Sequence, residues 1–261
     1  MQLQDKVALV TGASSGIGRA TALRFAAEGA IVGVLGRNRA ALDETVAEIE
    51  TAGGRALALV ADVADDSAVR DAVSRLVDMH GRLDVVFANA GINGVWAPID
   101  TLLPQEWDKT LAINLRGTYL TIHYTVPHLK RSGGGAILVT SSINGTRVFS
   151  NSGASAYACS KAAQLALVQM LALELAPFHI RVNALCPGSI ATDINERTEQ
   201  RDLESIGIPV DYPQGQVPLT EGRSGTAEQV AELALFLASE RSSHISGTPV
   251  WIDGAQSLLI G

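Results

Sequence analysis

Seven short apolar runs recur along the chain: VALV from Val7, IVGVL from Ile31, ALALV from Ala56, VVF from Val85, AILVT from Ala136, IRVNALC from Ile180 and PVWI from Pro249. They are continuous rather than alternating, as a strand covered on both faces requires, and stretches of helical length separate most of them. The order predicts a doubly wound α/β fold with a seven-stranded parallel sheet. Two connectors show the helical period directly. Leu42, Val46 and Ile49 lie four then three residues apart, and Val69, Val73, Leu76 and Val77 repeat the pattern. Each lays one apolar stripe on a sheet. Thr226 followed by Gln229 predicts a capping box opening a last helix that ends near Ala238, with Gly247 in the turn before the final strand.

Two helical stretches are patterned differently. From Tyr157 to Leu175 the chain is apolar on most faces, and from Leu111 to Leu129 it is nearly so. A sheet covers only one side of a helix, so the other side is expected to meet a second subunit. The segment 189–225 breaks the regular alternation, being polar and rich in Gly and Pro, and reads as a lid.

Composition narrows the class. With 261 residues, 47% hydrophobic and 18% charged, the chain can build one large core and is too apolar to stay disordered, so a single domain over 1–261 is expected. A net charge of −7 without any basic run argues against nucleic acid or an anionic membrane as partner. That leaves a small molecule and further copies of the chain. No charged-then-apolar leader opens the sequence and no apolar run is long enough to span a bilayer, so a cytoplasmic protein is expected. Cys159 and Cys186 are far apart, and His123 and His128 are five residues apart, too far round a helix to share a face. Neither a disulfide framework nor a metal site is indicated.

Candidate chemistry begins after the first strand, where TGASSGIG supplies Gly12, Ser14, Ser15, Gly16, Ile17 and Gly18 at the start of a helix. Glycine allows a sharp turn and close approach to a pyrophosphate, whose charge meets the free amides of the helix start. No Lys-Ser/Thr follows the glycines, so a P-loop is disfavoured. At the end of the second strand, where an acidic residue ordinarily takes the adenosine ribose, stand Gly36 and Arg37. A guanidinium there suits a 2′-phosphate, which favours NADP with NAD still possible. Asp62-Val63 ends the third strand and Asn89-Ala90-Gly91 the fourth. Asp62 can accept from the adenine amino group, and the small residues leave room for ring and ribose.

TGASSGIG, DV, NAG, YACSK and PGSIAT stand in that order, and together they make the whole chain resemble the short-chain dehydrogenase/reductase family. The resemblance implies a Rossmann sheet of order 3-2-1-4-5-6-7, a homotetramer or dimer built through two long helices, and a tetrad at Asn114, Ser142, Tyr157 and Lys161. It makes Asn114 a water-binding kink that links Lys161 to solvent. It places Pro187, Gly188, Ile190 and Thr192 around the nicotinamide. It also selects Ser142 over Ser141, which must face the other way. The stretch from Ser142 to Tyr157 is longer than in the shortest relatives, an enlargement around Phe149 to Gly153.

The Tyr/Lys chemistry stands on physics as well. A phenol has a pKa of about 10, and a cation about 4 Å away at an effective dielectric near 20 contributes about 4 kcal/mol, so Tyr157 is expected to titrate near neutrality. Lys161, four residues on, shares its helical face and can supply that charge. Tyr157 could then give a proton to a carbonyl oxygen as hydride arrives, with Ser142 as second donor. The expected activity is interconversion of a small-molecule ketone or aldehyde with its alcohol. A catalytically silent nucleotide sensor needs no tuned phenol, and an enoyl reductase of related fold spaces Tyr and Lys more widely. Charged lid residues (Arg197, Glu199, Arg201, Asp202, Glu204, Asp211) lean towards a polar substrate, whereas Trp96 and Phe149 could wall an apolar one.

Overall fold

The computed structural model describes residues 1–207 and 216–259. All seven apolar runs are strands: β1 (Val7–Thr11), β2 (Ile31–Gly36), β3 (Arg55–Val60), β4 (Val85–Ala88), β6 (Gly135–Thr140), β7 (Ile180–Pro187) and β9 (Pro249–Ile252). They form one parallel sheet in the order β3-β2-β1-β4-β6-β7-β9, a doubly wound Rossmann arrangement. Strand order reverses between β1 and β4, and such a reversal opens a crevice at the carboxyl ends of the strands.

Helices α1 (Gly16–Ala27), α2 (Arg39–Thr51), α3 (Asp66–His80), α4 (Pro104–Leu111), α5 (Gly117–Arg131), α6 (Ser155–Leu175) and α7 (Ala227–Ala238) cover both faces. Leu76, Leu120 and Val168 belong to the core on one face, and Phe25, Leu42 and Leu235 to the core on the other. The Thr226/Gln229 capping box forms at the start of α7. The helix expected from Leu111 is interrupted: α4 stops there, a π-turn occupies Ala112–Arg116, and α5 follows. The wider turn swings Asn114 into the interior.

Helix α6 corrects one expectation. With its 3₁₀ extension it runs over Ser155–Phe178, 24 residues containing an 18-residue window at a mean hydropathy of 1.2, long and apolar enough to cross a membrane by length and composition alone. Apolar residues outnumber the isolated polar ones that break its runs. Ser160, Lys161 and Gln164 are buried with Val168, Ala172 and Leu175, whereas Gln169 and Glu174 are exposed, as are Met170 and Leu173 at 72% and 82%.

The 189–225 segment is less irregular than its composition suggests. Glu199–Gln200 (β8) pairs in parallel with Val95–Trp96 (β5). Arg201 then donates from Nη1 to Glu106 Oε1 (2.9 Å) and from Nη2 to Glu106 Oε2 and Thr101 O (both 2.8 Å). That guanidinium holds the Glu106 carboxyl at about 2. Ile190 bridges Gly225 and closes the base of the segment. Asp211 lies outside the described residues.

Candidate active site

A cleft of about 670 Å³ opens over the carboxyl ends of β1, β4, β6 and β7. On its nucleotide side, Gly12 and Gly16 adopt left-handed backbone (φ 67° and 51°). A Cβ on Gly18 would lie 2.2 Å from Gly12 O and 2.7 Å from Asn89 Nδ2, so only glycine lets α1 press against the turn. Ser15 caps α1 with no side-chain bond, which leaves the first-turn amides for an anion. Ser14, Ser15, Gly16 and Ile17 line the cleft, as do Val63, Asn89, Ala90, Gly91, Pro187, Gly188, Ile190 and Thr192. Arg37 and Asp62 share one edge, Nη1 to Oδ2 3.7 Å. Arg37 is 65% exposed there, so the contact is weak and leaves the guanidinium available to a phosphate.

A hydrogen-bonded chain ties this turn to Lys161. Thr11 Oγ1 accepts from the Asn89 and Ala90 amides (both 3.0 Å), and Asn89 Nδ2 donates to Thr11 O (3.0 Å). Thr140 Oγ1 donates to Asn89 Oδ1 (3.0 Å), and Lys161 Nζ donates to Thr140 O (2.8 Å). Burial takes Lys161 down to about 8, with Cys186 opposing; the same burial pushes the Cys186 thiol up to about 11, so it stays neutral.

Tyr157 lies beside Lys161 and Ser142. Lys161 Nζ sits 5.5 Å over the centroid of its ring, a cation–π arrangement. Here the expectation of a phenol near neutrality is corrected. Burial raises Tyr157 above the ordinary phenol value, and a hydrogen bond with Ser142 only partly opposes it. The ammonium is turned to Thr140 O and the ring face, so desolvation outweighs its attraction for a phenolate. Ser142 Oγ accepts from the Asn144 amide (3.1 Å), which leaves its own proton to donate. Ser141 points away, its Oγ donating to Lys161 O (2.8 Å).

Asn114 is fully buried and held on every side. Its Nδ2 donates to Ile92 O (2.9 Å) and Ser160 Oγ (3.0 Å), and Oδ1 accepts from the Ile92 amide (2.8 Å). Its main-chain carbonyl accepts from Gln164 Nε2 (2.8 Å) and Thr118 Oγ1 (2.7 Å). Both carbonyl lone pairs are therefore used. Through Ile92 the side chain pins the loop that follows Gly91. A Cβ on Gly91 would stand 3.2 Å from Asn114 Oδ1 and 3.5 Å from Lys161 Nζ.

Ser160 and Gln164 were not singled out by the sequence reading. Gln164 stands on the Tyr157/Lys161 stripe of α6, at the next turn, and a polar residue there in an otherwise apolar helix was the available signal. Its Nε2 also donates to Thr118 Oγ1 (2.7 Å), while Oε1 is sealed with no partner. Gln164→Leu is expected to lower kcat about tenfold, one buried hydrogen bond of roughly 1 to 1.5 kcal/mol, with nucleotide affinity nearly unchanged. Steady-state kinetics against nucleotide titration separate the two, and a kcat equal to the parent's would make Gln164 packing alone.

Of the described lid charges, Arg197 lines the cleft 3.3 Å from Asp193, whereas Arg201 is committed to Glu106. Trp96 lines the cleft, whereas Phe149 is 78% exposed and outside it.

A family model described as enoyl-(acyl carrier protein) reductase matches residues 12–255. The chain is 37% identical over 254 residues to a 3-oxoacyl-[acyl-carrier-protein] reductase FabG of Thermotoga maritima, covering 97% of this chain and 98% of that protein. A crystal structure of a 3-ketoacyl-ACP reductase from Sinorhizobium meliloti superposes with a TM-score of 0.94 at 60% identity, over 97% of this chain and 100% of that one. Two further crystal structures contain nucleotide. A Burkholderia cenocepacia short chain dehydrogenase with NADP is 37% identical, with a TM-score of 0.85 over 98% of this chain and 99% of that one. A Brucella melitensis 3-ketoacyl-(acyl-carrier-protein) reductase with NADH is 32% identical, with a TM-score of 0.86 over the same shares.

Proposed function

The chain belongs to the short-chain dehydrogenase/reductase family, and from that membership we propose an NADP-dependent enzyme in which Asn114, Ser142, Tyr157 and Lys161 serve a small-molecule carbonyl or alcohol. It is a nicotinamide-dependent oxidoreductase that moves a hydride between cofactor and a ketone or aldehyde, or the corresponding alcohol. The observation that carries the residue roles is the grouping of Tyr157, Ser142 and Lys161 at the cleft above the glycine turn.

The residues present fit a dinucleotide: a left-handed glycine turn, uncapped helix amides, and small residues after β4. The nicotinamide, when bound, supplies or accepts the hydride. Gly12 to Gly18 would hold the pyrophosphate, Asp62 and Val63 the adenine, and Lys161 a ribose hydroxyl. Pro187, Gly188, Ile190 and Thr192 would bound the nicotinamide side. Ser142 orients the substrate oxygen while Tyr157 gives it a proton, and Lys161 holds positive charge against the oxyanion that develops. A raised phenol pKa keeps Tyr157 protonated at neutral pH, which supports reduction in that range; alcohol oxidation should gain as pH rises. Two donors aimed at one oxygen support carbonyl rather than alkene reduction. The silent-sensor alternative has no support among the relatives.

Arg37→Ala is expected to lower the NADP-over-NAD preference by at least about tenfold, the scale of a charge-assisted contact to phosphate. Comparing kcat/KM for the two nucleotides checks it, and an unaltered ratio removes Arg37 as the reader of the 2′-phosphate. Exposed Tyr119, Met170 and Leu173 on α5 and α6 support a homotetramer assembled through these helices. Two free cysteines support a reducing, cytoplasmic setting. One domain over 1–261, with 189–225 as lid, carries both cofactor and substrate sites in this reading.

A further inference from the structure

The part of the cleft beyond Ser142 and Tyr157 is lined by amides. Asn144 and Asn151 stand on the Ser142 side, and Asn93, Asn195, Thr198 and Gln200 on the side of the Gly91 loop and the lid. Asn151 Nδ2 donates to Asn144 Oδ1 (2.8 Å), which orients both, and Asn93 Nδ2 donates to Thr198 Oγ1 (2.8 Å) and Asn195 Oδ1 (3.3 Å). Those bonds engage only part of each amide's capacity of two donors and one two-lone-pair acceptor. Among the described residues, Asn93 Oδ1, Asn144 Nδ2 and Asn195 Nδ2 have no partner, and none is a sealed buried atom, so they remain open to a ligand. Asn93 and Asn144 are themselves only 7% and 9% exposed, so their orientation is fixed.

Among the described residues, charge at this end cancels. Arg197 and Asp193 pair with each other, and Asp62 lies at the opposite, nucleotide end beside Arg37. A wall of donors and acceptors without net charge matches hydroxyl groups, each of which donates and accepts. Trp96, its Nε1 committed to Asn93 O (3.2 Å), adds a ring beside which a carbon skeleton can lie. An alkyl chain here would leave the oriented amides unpaired, and a site built to hydrogen-bond a hydroxyl rejects the analogue that lacks it.

We propose that the amide-lined mouth selects an uncharged, polyhydroxylated substrate: a small hydroxyketone or hydroxyaldehyde, or the corresponding polyol in the oxidative direction. This rests on the oxidoreductase reading above and adds the substrate class to it. The reaction balances as one hydride to the carbonyl carbon and one proton from Tyr157 to the oxygen, yielding the alcohol and the oxidised nucleotide.

The test compares isosteric pairs in which methyl groups replace hydroxyls: dihydroxyacetone against 3-pentanone, and erythrulose against 4-methyl-3-hexanone. Each is followed by NADPH absorbance in the parent and in Asn151→Leu and Asn195→Leu, both exposed positions. The parent should favour the hydroxylated member by at least about 100-fold in kcat/KM, and each substitution should shrink that preference about tenfold. Reading the change of ratio removes the greater intrinsic reactivity of hydroxyketones. NADPH fluorescence titration verifies that each variant still folds and binds nucleotide. Alkyl ketones reduced as well as their partners, a ratio unmoved in both variants, or turnover confined to other carbonyls overturns the substrate class while leaving the oxidoreductase reading intact. No turnover of any carbonyl or alcohol with either nucleotide, in protein that binds NADPH, overturns both.

Discussion

Tyr157→Phe is expected to lower kcat for carbonyl reduction by about 10³-fold, within the range lost when a positioned general acid is removed, while nucleotide affinity stays within about twofold. The ring and its contact with Lys161 survive the substitution; only the proton donor goes. Ser142 cannot replace it, because a hydroxyl that must end as an alkoxide is a far weaker acid than a phenol. Single-turnover reduction measured beside nucleotide titration separates chemistry from binding. A kcat within tenfold of the parent's would show that another group protonates the substrate oxygen.

Lys161→Met should cost activity and gain stability together. Activity falls because the variant has no cation to face the developing oxyanion, and nucleotide binding weakens with the lost ribose contact. Reduction by the parent should also decline as pH rises through about 8, where Lys161 loses its proton, and the variant should lack that limb. Cys186 and Tyr157 are the other ionisable groups facing the lysine, and both are held neutral through that range.

Stability follows from the same depression. An ammonium whose pKa falls from 10.5 to about 8 on folding costs about 3 kcal/mol at neutral pH. The unfolded chain binds the extra proton between those values, so the penalty is complete below about 8 and fades as pH rises towards 10.5. Methionine removes the charge and fills the space but leaves Thr140 O without its donor, which returns about 1 kcal/mol. A net gain of about 2 kcal/mol corresponds to a rise in Tm of roughly 4 to 8 °C at pH 7, shrinking by pH 10. A variant that melts lower than the parent at pH 7 would mean that the buried lysine is not strained.

What the sequence displayed and what it hid divide along physical lines. Strands buried on both faces leave uninterrupted apolar runs, and a turn that must press against a helix leaves its glycines at fixed places, so sheet and nucleotide turn were legible. The π-turn was not, because Asn114 sits in a segment whose apolar pattern is helical throughout and the extra residue changes only the backbone bonding. The pairing of Val95–Trp96 with Glu199–Gln200 was hidden for another reason: two-residue strands have no period. The phenol was misjudged because spacing along a helix supplies the attraction between charges but not the desolvation that opposes it. Gln164 shows the converse, a residue whose type and place in an apolar helix were visible although its partners, Asn114 and Thr118, lie some fifty residues away.

The Arg201 clamp fastens the lid to the first turn of α4 at Glu106 and to the loop after β5 at Thr101, not to α6, which carries Tyr157 and Lys161, nor to the glycine turn. Among the described residues, the side chains of 193–200 bond to one another and, through Asn93, to the loop after Gly91, and none bonds to Tyr157, Lys161 or the glycine turn. A lineage could exchange one substrate for another by rewriting that short stretch, with the reaction itself inherited untouched.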